Sequence, residues 1–172
     1  MFQKMLTRFY SKLVRITAPT EDSTLYQKIL LPLDGSVLAA EALPYAIAQA
    51  QHFGAKVILL KVIPPLLEAR SPQMEALVAA EVEQELTPAA EAVRAAGVAV
   101  EIVSIEGGGI GCAPHIVRYA DQNAIDLIVM STRGHGGFNR WVLGSTADGV
   151  VRKAPVPVLL VRVGEPYGLE EW

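Results

Sequence analysis

The stretch from Ile29 to Ser36 reads I-L-L-P-L-D-G-S, and it decides how the rest of the chain is interpreted. Its apolar run ends in an aspartate, a glycine and a serine, which is typical of a buried strand that reaches the edge of a sheet and turns into a helix. Ser36 is the predicted N-cap of that helix. Asp34 is therefore predicted to lie at the carboxyl end of a strand, where open parallel sheets bind ligands.

Two roles for Asp34 are compatible with this position. Its carboxylate is a suitable acceptor for the vicinal hydroxyls of a ribose, and it is equally suited to support the start of the following helix. The motif alone favours neither role over the other.

Short β-type runs alternate with longer helical patterns on both sides of this motif, as in a parallel sheet with crossover helices. Strands are predicted at residues 28–33, 56–63, 99–105, 126–130 and 156–163, and helices at residues 36–52, 72–96, 113–123 and 145–153. Pro44 is expected to bend the first helix and Pro88 to kink the second. Gly97 is expected to end the second helix from the C′ position. The predicted fold is an α/β fold with an open five-stranded parallel sheet and helices on both faces.

Composition narrows the possible functions. A chain of 172 residues with 51% hydrophobic and 19% charged residues predicts one globular domain. The single cysteine, Cys112, excludes an internal disulfide and favours a reducing, cytoplasmic setting. No apolar stretch approaches the roughly 20 residues that a membrane span needs. Because the net charge is −3 despite a basic N-terminus, the body of the chain is acidic, which argues against nucleic acid as a partner.

The N-terminal segment differs from the rest of the chain. Residues 1–16 carry four basic residues and no acidic one, and their apolar residues recur at helical spacing. Residues 1–25 are thus predicted to be a basic amphipathic helix and linker, residues 26–163 the folded domain and residues 164–172 a tail. The helix is expected to dock on a membrane surface or a protein partner, although a targeting sequence or packing across a dimer gives the same pattern.

A second motif lies between Met130 and Thr146 and reads M-S-T-R-G-H-G-G-F-N-R-W-V-L-G-S-T. Its glycines let the backbone approach a ligand closely, and Gly144 precedes a helix whose N-terminus favours an anion. The motif therefore predicts phosphate binding, although many turns of this kind contain glycines simply to reverse the chain. Nearby basic side chains either neutralise phosphate charge or are simply solvated; they are Arg133, His135 and Arg140.

Together the two motifs resemble the universal stress protein family, over residues 26–162. In its ATP-binding branch the loop reads Gly, two residues, Gly, nine residues, then Gly followed by Ser or Thr. Gly134, Gly144 and Ser145 match this pattern, and Ser131 replaces the first glycine. The resemblance implies the strand order 3-2-1-4-5, which brings Asp34 and the glycine loop to one crevice.

The resemblance also implies a ligand and its contacts. The ligand would be ATP, or ADP or AMP, with Mg or Mn bound through the phosphates. Asp34 would contact the ribose, and Val62 would contact the adenine through its backbone. The residues implied at the site are Pro32, Leu33, Asp34, Val62, Met130, Ser131, Arg133, Gly134, Gly144, Ser145 and Thr146.

The expected function is that of a regulatory nucleotide-binding module with at most slow hydrolysis, because neither a Walker lysine nor a Ser-His-Asp arrangement is apparent. Cys112 is expected to be incidental, since no acid accompanies His115 nearby. The alternative is an interaction protein that does not bind nucleotide, which Ser131 keeps open. A homodimer is expected through the apolar strand from Val156 to Val163, as in members of the family.

Overall fold

Five parallel strands form one sheet in the order β3-β2-β1-β4-β5. The computed structural model describes residues 25–65, 71–109, 111–133 and 143–162. Along the chain the elements are β1 (Lys28–Pro32), α1 (Val37–Ala40), α2 (Leu43–Phe53), β2 (Lys56–Ile63), α3 (Pro72–Ala95), β3 (Val100–Glu106), α4 (Ala113–Gln122), β4 (Leu127–Ser131), α5 (Ser145–Lys153) and β5 (Val158–Val161). The predicted fold class is therefore confirmed.

The central strands are apolar throughout because helices cover both faces of the sheet. Alternate residues of a strand point to opposite faces, so Ile29 and Leu31 pack under α1, α2 and α3, whereas Leu30 packs under α4 and α5. Ala46 and Ala50 are buried on α2, and such small side chains let this helix lie close to the sheet. Both sides of the sheet thus carry a hydrophobic core.

The prediction of a single bent helix over residues 36–52 is wrong. The structure has two helices, α1 and α2, and Pro44 lies in the first turn of α2 instead of bending a longer helix. Proline is favoured at that position because the first helical N–H groups have no partner within the helix. The predicted N-cap is confirmed, since Ser36 Oγ accepts a hydrogen bond of 3.1 Å from Ala39 N–H.

Other predicted boundaries differ from the structure by smaller amounts. β5 is shorter than expected because residues 155–157, with prolines at both ends, precede it, and a proline has no N–H for a ladder. α3 continues through Pro88 as one helix, and Gly97 follows its end with φ +75°, as predicted for a C′ glycine.

Residues 1–24 and 163–172 lie outside the described residues, so the expected N-terminal helix stays a prediction. Within the described ranges, no helix is long and apolar enough to cross a membrane.

Candidate functional site

A cleft of about 310 Å³ lies at the carboxyl ends of β1 and β4. These strands are neighbours, and the chain leaves them toward opposite faces of the sheet, which is where ligands bind in open parallel sheets. All of the predicted site residues that the structure describes line it: Pro32, Leu33, Asp34, Val62, Met130, Ser131, Arg133, Gly144, Ser145 and Thr146. Gly134, His135 and Arg140 lie outside the described residues. The volume falls within the range of small-molecule sites.

Asp34 forms one wall of the cleft, directly after β1. Its Oδ1 accepts hydrogen bonds from Ser36 N–H at 2.9 Å and from Ser36 Oγ at 2.6 Å. The carboxylate therefore stabilises the turn, while Ser36 itself caps α1. The two roles considered for Asp34 are compatible, because a carboxylate has about four acceptor positions and the exposed side chain lines the cleft.

Val62, near the end of β2, also lines the cleft. The ladder between β1 and β2 ends with Leu33 N–H donating to the Leu60 carbonyl at 2.9 Å. In a parallel ladder every second residue directs its N–H and C=O toward the same neighbour, so Val62 is the next β2 residue that faces β1. β1 ends at Pro32, and the N–H and C=O of Val62 are therefore directed into the space beyond its last ladder bond.

The opposite wall begins with the turn after β4. Ser131 is 6% exposed, and its hydroxyl donates to the Arg133 carbonyl within the turn. The hydroxyl has one proton, and that proton is used within the turn, so Ser131 can offer a ligand only its lone pairs. An ionised phosphate also only accepts hydrogen bonds, and the Ser131 hydroxyl in this conformation therefore does not bind one. In this structure the serine thus closes the turn where the family pattern has a glycine.

Gly144 returns the chain from the loop to the cleft. Its N–H donates to the Thr132 carbonyl at 2.9 Å, and Thr132 N–H in turn donates to the Val161 carbonyl at 2.9 Å. A Cβ at Gly144 would lie 3.2 Å from the Thr132 oxygen, which is tighter than ordinary van der Waals contact. The glycine therefore allows the two ends of the loop to meet at the cleft.

Helix α5 presents its N-terminus to the cleft. Its N-cap is Gly144, which makes no side-chain capping bond, and the first bond within the helix is Asp148 N–H to the Gly144 carbonyl. The N–H groups of the three residues between them have no acceptor within the helix. All three of these residues line the cleft: Ser145, Thr146 and Ala147. This end carries partial positive charge and is suited to an anion.

Helix α4 closes the cleft on the remaining side through Cys112 and Ile116. His115 is buried, and its Nε2 accepts a 2.7 Å hydrogen bond from Gly108 N–H, so the imidazole holds the glycine run after β3. On α5, a Cβ at Gly149 would lie 2.7 Å from the Ala113 Cβ. This glycine lets α4 and α5 pack at close range beside the cleft.

Sequence reasoning missed several residues that line the cleft. Leu60, Ile116 and Ala147 were apolar members of predicted elements, and nothing in their type distinguishes a core position from a cleft position. Thr132 also lines the cleft, and it lies inside the quoted loop motif. Its position next to Ser131, a predicted site residue, was the signal that could have identified it. Among the described residues, no three His, Cys, Asp or Glu side chains are grouped to bind a metal ion.

The sheet order and the position of the cleft define a doubly wound α/β protein with a cleft at its topological switch point, where proteins of this class bind ligands. Residues 25–162 match the profile of the universal stress protein family, and the chain belongs to that family. It is 34% identical over 144 residues to universal stress protein MJ0531 of Methanocaldococcus jannaschii, covering 80% of this chain and 83% of the relative.

Two solved structures extend the likeness to three dimensions. Protein MJ0577 of the same archaeon superposes with a TM-score of 0.71 at 26% identity, over 83% of this chain and 99% of the other. A universal stress protein solved in complex with cAMP superposes with a TM-score of 0.65 at 25% identity, over 81% of this chain and 98% of the other. A structural relative therefore holds an adenine nucleotide.

Proposed function

We propose that the cleft binds an adenine nucleotide, ATP or its products ADP and AMP, and that the chain is a regulatory nucleotide-binding module. One observation carries the proposal: one cleft is lined by the carboxylate of Asp34, by β2 beyond its last bond to β1, and by a helix N-terminus that has no side-chain cap among the described residues. These groups suit a sugar, a base edge and a phosphate chain in turn. The cAMP complex of a relative supports the same ligand class.

The base is assigned to the part of the cleft beside Val62. Adenine carries a hydrogen-bond acceptor beside its exocyclic amino donor, which complements one backbone N–H and one C=O. Val62 offers this pair beyond the end of β1, and the apolar side chains of Leu60 and Ile116 also line the cleft. Base recognition through backbone alone requires no polar side chain here.

The phosphates are assigned to the opposite wall. The N-terminus of α5 and the guanidinium of Arg133, which also lines the cleft, both favour negative charge. Mg²⁺ or Mn²⁺ would be held mainly through the phosphate oxygens, a common arrangement for nucleotide-bound cations. Hydrolysis is expected to be slow at most.

The decisive experiment is to denature freshly purified protein and identify the released small molecules by mass spectrometry. Titration calorimetry with ATP, ADP, AMP and cAMP then ranks the ligands. Asp34→Ala should weaken ATP binding about tenfold, the effect expected for losing hydrogen bonds to a charged group. The exposed carboxylate of Asp121, on α4, provides the matched control, and Asp121→Ala should bind like wild type. Wild-type protein that binds none of the four would favour the alternative, an interaction protein without nucleotide.

A homodimer through β5 is the second part of the proposal. β5 lies at the edge of the sheet, and its apolar residues Val158, Leu159 and Leu160 are only partly buried. An unpaired strand edge of this kind invites pairing with a second copy. Sedimentation velocity should give the mass of a dimer, and a monomer at micromolar concentration would contradict the proposal.

A further inference from the structure

Two charged residues, Lys61 and Glu85, contact the loop that carries Asp34 without lining the cleft themselves. Lys61 Nζ donates a 3.0 Å hydrogen bond to the backbone carbonyl of Asp34. The same ammonium forms an ion pair with Glu85 of α3. Three elements thus meet at this point: the loop after β1, the end of β2 and the middle of α3.

Lys61 interrupts an apolar row. Val57 and Leu59 point to the face of the sheet that α3 covers, and Lys61 is the next residue of β2 on that face. Its side chain is only 16% exposed, so its charge requires partners. The Asp34 carbonyl and the Glu85 carboxylate are the partners that the structure provides.

Gly35 makes room for this arrangement. It has φ +86°, and a Cβ built there would lie 1.9 Å from Glu85 Oε1. A glycine beside Asp34 therefore meets two requirements together, the left-handed backbone of the turn and the close approach of the α3 carboxylate. The glycine of the L-D-G-S motif thus leaves space for Glu85, which comes 50 residues later along the chain.

We propose that Lys61 and Glu85 are positioning residues that hold Asp34 in place at the sugar wall of the cleft. The inference rests on the proposed function, because it assigns these residues to ribose recognition. The pair acts through the Asp34 carbonyl, which fixes the loop from which the carboxylate projects. Lys61 without Glu85 would be a partly buried cation with one fewer partner, so both residues are needed.

A comparable ion pair at the other end of β2 provides the control. Lys56 and Glu101 are 2.8 Å apart, with side chains 38% and 50% exposed. That pair lies at the amino ends of β2 and β3, whereas the cleft lies at the carboxyl ends of the strands. Lys56→Met therefore removes the same chemistry from the same strand without touching Asp34.

The first measurement requires no nucleotide. Lys61→Met and Glu85→Gln should accelerate amide hydrogen exchange at Ser36, whose N–H donates to Asp34 Oδ1, whereas Lys56→Met should leave it unchanged. Thermal unfolding shows whether each variant is folded, and Glu85→Gln preserves side-chain volume if Lys61→Met does not fold. Unchanged exchange in both variants would overturn the inference.

The second measurement separates positioning from general stability. Lys61→Met should weaken ATP binding about tenfold while leaving the weaker binding of 2′,3′-dideoxy-ATP within about twofold of wild type, because only ATP presents both hydroxyls to Asp34. An equal loss for both ligands would show a merely structural role and overturn the inference. If the wild type binds no nucleotide, the proposed function fails, and the exchange data alone decide whether the pair holds Asp34.

Discussion

The two walls of the cleft are held in place by different means. The loop after β1 is fixed by side chains, through Lys61 at a separation of 27 residues and Glu85 beyond it. At the opposite wall, the two described ends of the loop after β4 are joined mainly by backbone bonds, through Thr132 and Gly144. The first wall is therefore sensitive to side-chain changes far along the chain. The described part of the second wall is expected to respond most strongly to substitutions that intrude on its own backbone.

The largest effect is expected at the backbone-held wall. Gly144→Val places a branched side chain where even a Cβ would lie 3.2 Å from the Thr132 oxygen and 3.7 Å from the Arg133 Cα. Because the obstructing atoms belong to the backbone, the loop must move away from α5. ATP binding should weaken about 30-fold or more, equivalent to about 2 kcal/mol, by calorimetry.

Gly109→Val is the control for this substitution. A Cβ at Gly109 has no neighbour within 4 Å, so the same change should leave binding nearly unaltered. Equal losses in the two variants would mean that valine acts through general destabilisation, and the distinction between the walls would not hold at Gly144.

A smaller effect is expected at the side-chain-held wall. Gly35→Ala introduces a left-handed alanine, which costs about 1–2 kcal/mol of the free energy of unfolding, and displaces Glu85 from its pair with Lys61. ATP binding should fall about tenfold as Asp34 loses its support. Urea unfolding and calorimetry measure the two effects.

Gly54→Ala separates backbone strain from the loss of support. Gly54 also has a positive φ, +67°, but a Cβ at this position would have no neighbour within 4 Å. The variant should lose a similar free energy of unfolding and keep its ATP affinity. Reduced affinity in Gly54→Ala would indicate that strain alone affects the cleft.

The smallest effect is expected from Ser131→Ala. This change removes the hydroxyl that donates to the Arg133 carbonyl and should lower the free energy of unfolding by about 1 kcal/mol. ATP binding should weaken only about threefold, because the backbone bonds of the loop remain. Thr87→Ala removes a similar hydroxyl-to-carbonyl bond at an exposed site on α3 and serves as the control. A loss of binding as large as that in Gly144→Val would show that this wall also depends on a side chain.

Local signals in the sequence predicted most of the fold. Apolar runs located the strands, and Ser36 and Gly97 were correctly placed at a helix start and a helix end. Pro44 was misinterpreted because a proline inside a helical pattern either bends one helix or begins another, and spacing alone does not distinguish these outcomes. The shortened β5 was foreseeable from Pro157, which lacks a ladder donor.

The cleft was predictable in part. Residues in the two quoted motifs converge there because parallel strands end at one edge of the sheet. The support of Asp34 by Lys61 and Glu85 was not predictable, since it depends on where α3 crosses the end of β2. The same holds for His115, whose bond to Gly108 arises only when α4 folds back over the glycine run.

The close contact between Gly149 and Ala113 helps to set the width of the mouth of the cleft, although neither residue lines it. Helices α4 and α5 both begin at the cleft. Because Gly149, one turn along α5, has no Cβ, the first turns of the two helices can lie close together. A bulkier residue at that point would push the helices apart and widen the mouth without changing any lining side chain. The size of the ligand that the cleft admits would then change through the spacing of two helices, while the chemistry of the walls stayed the same.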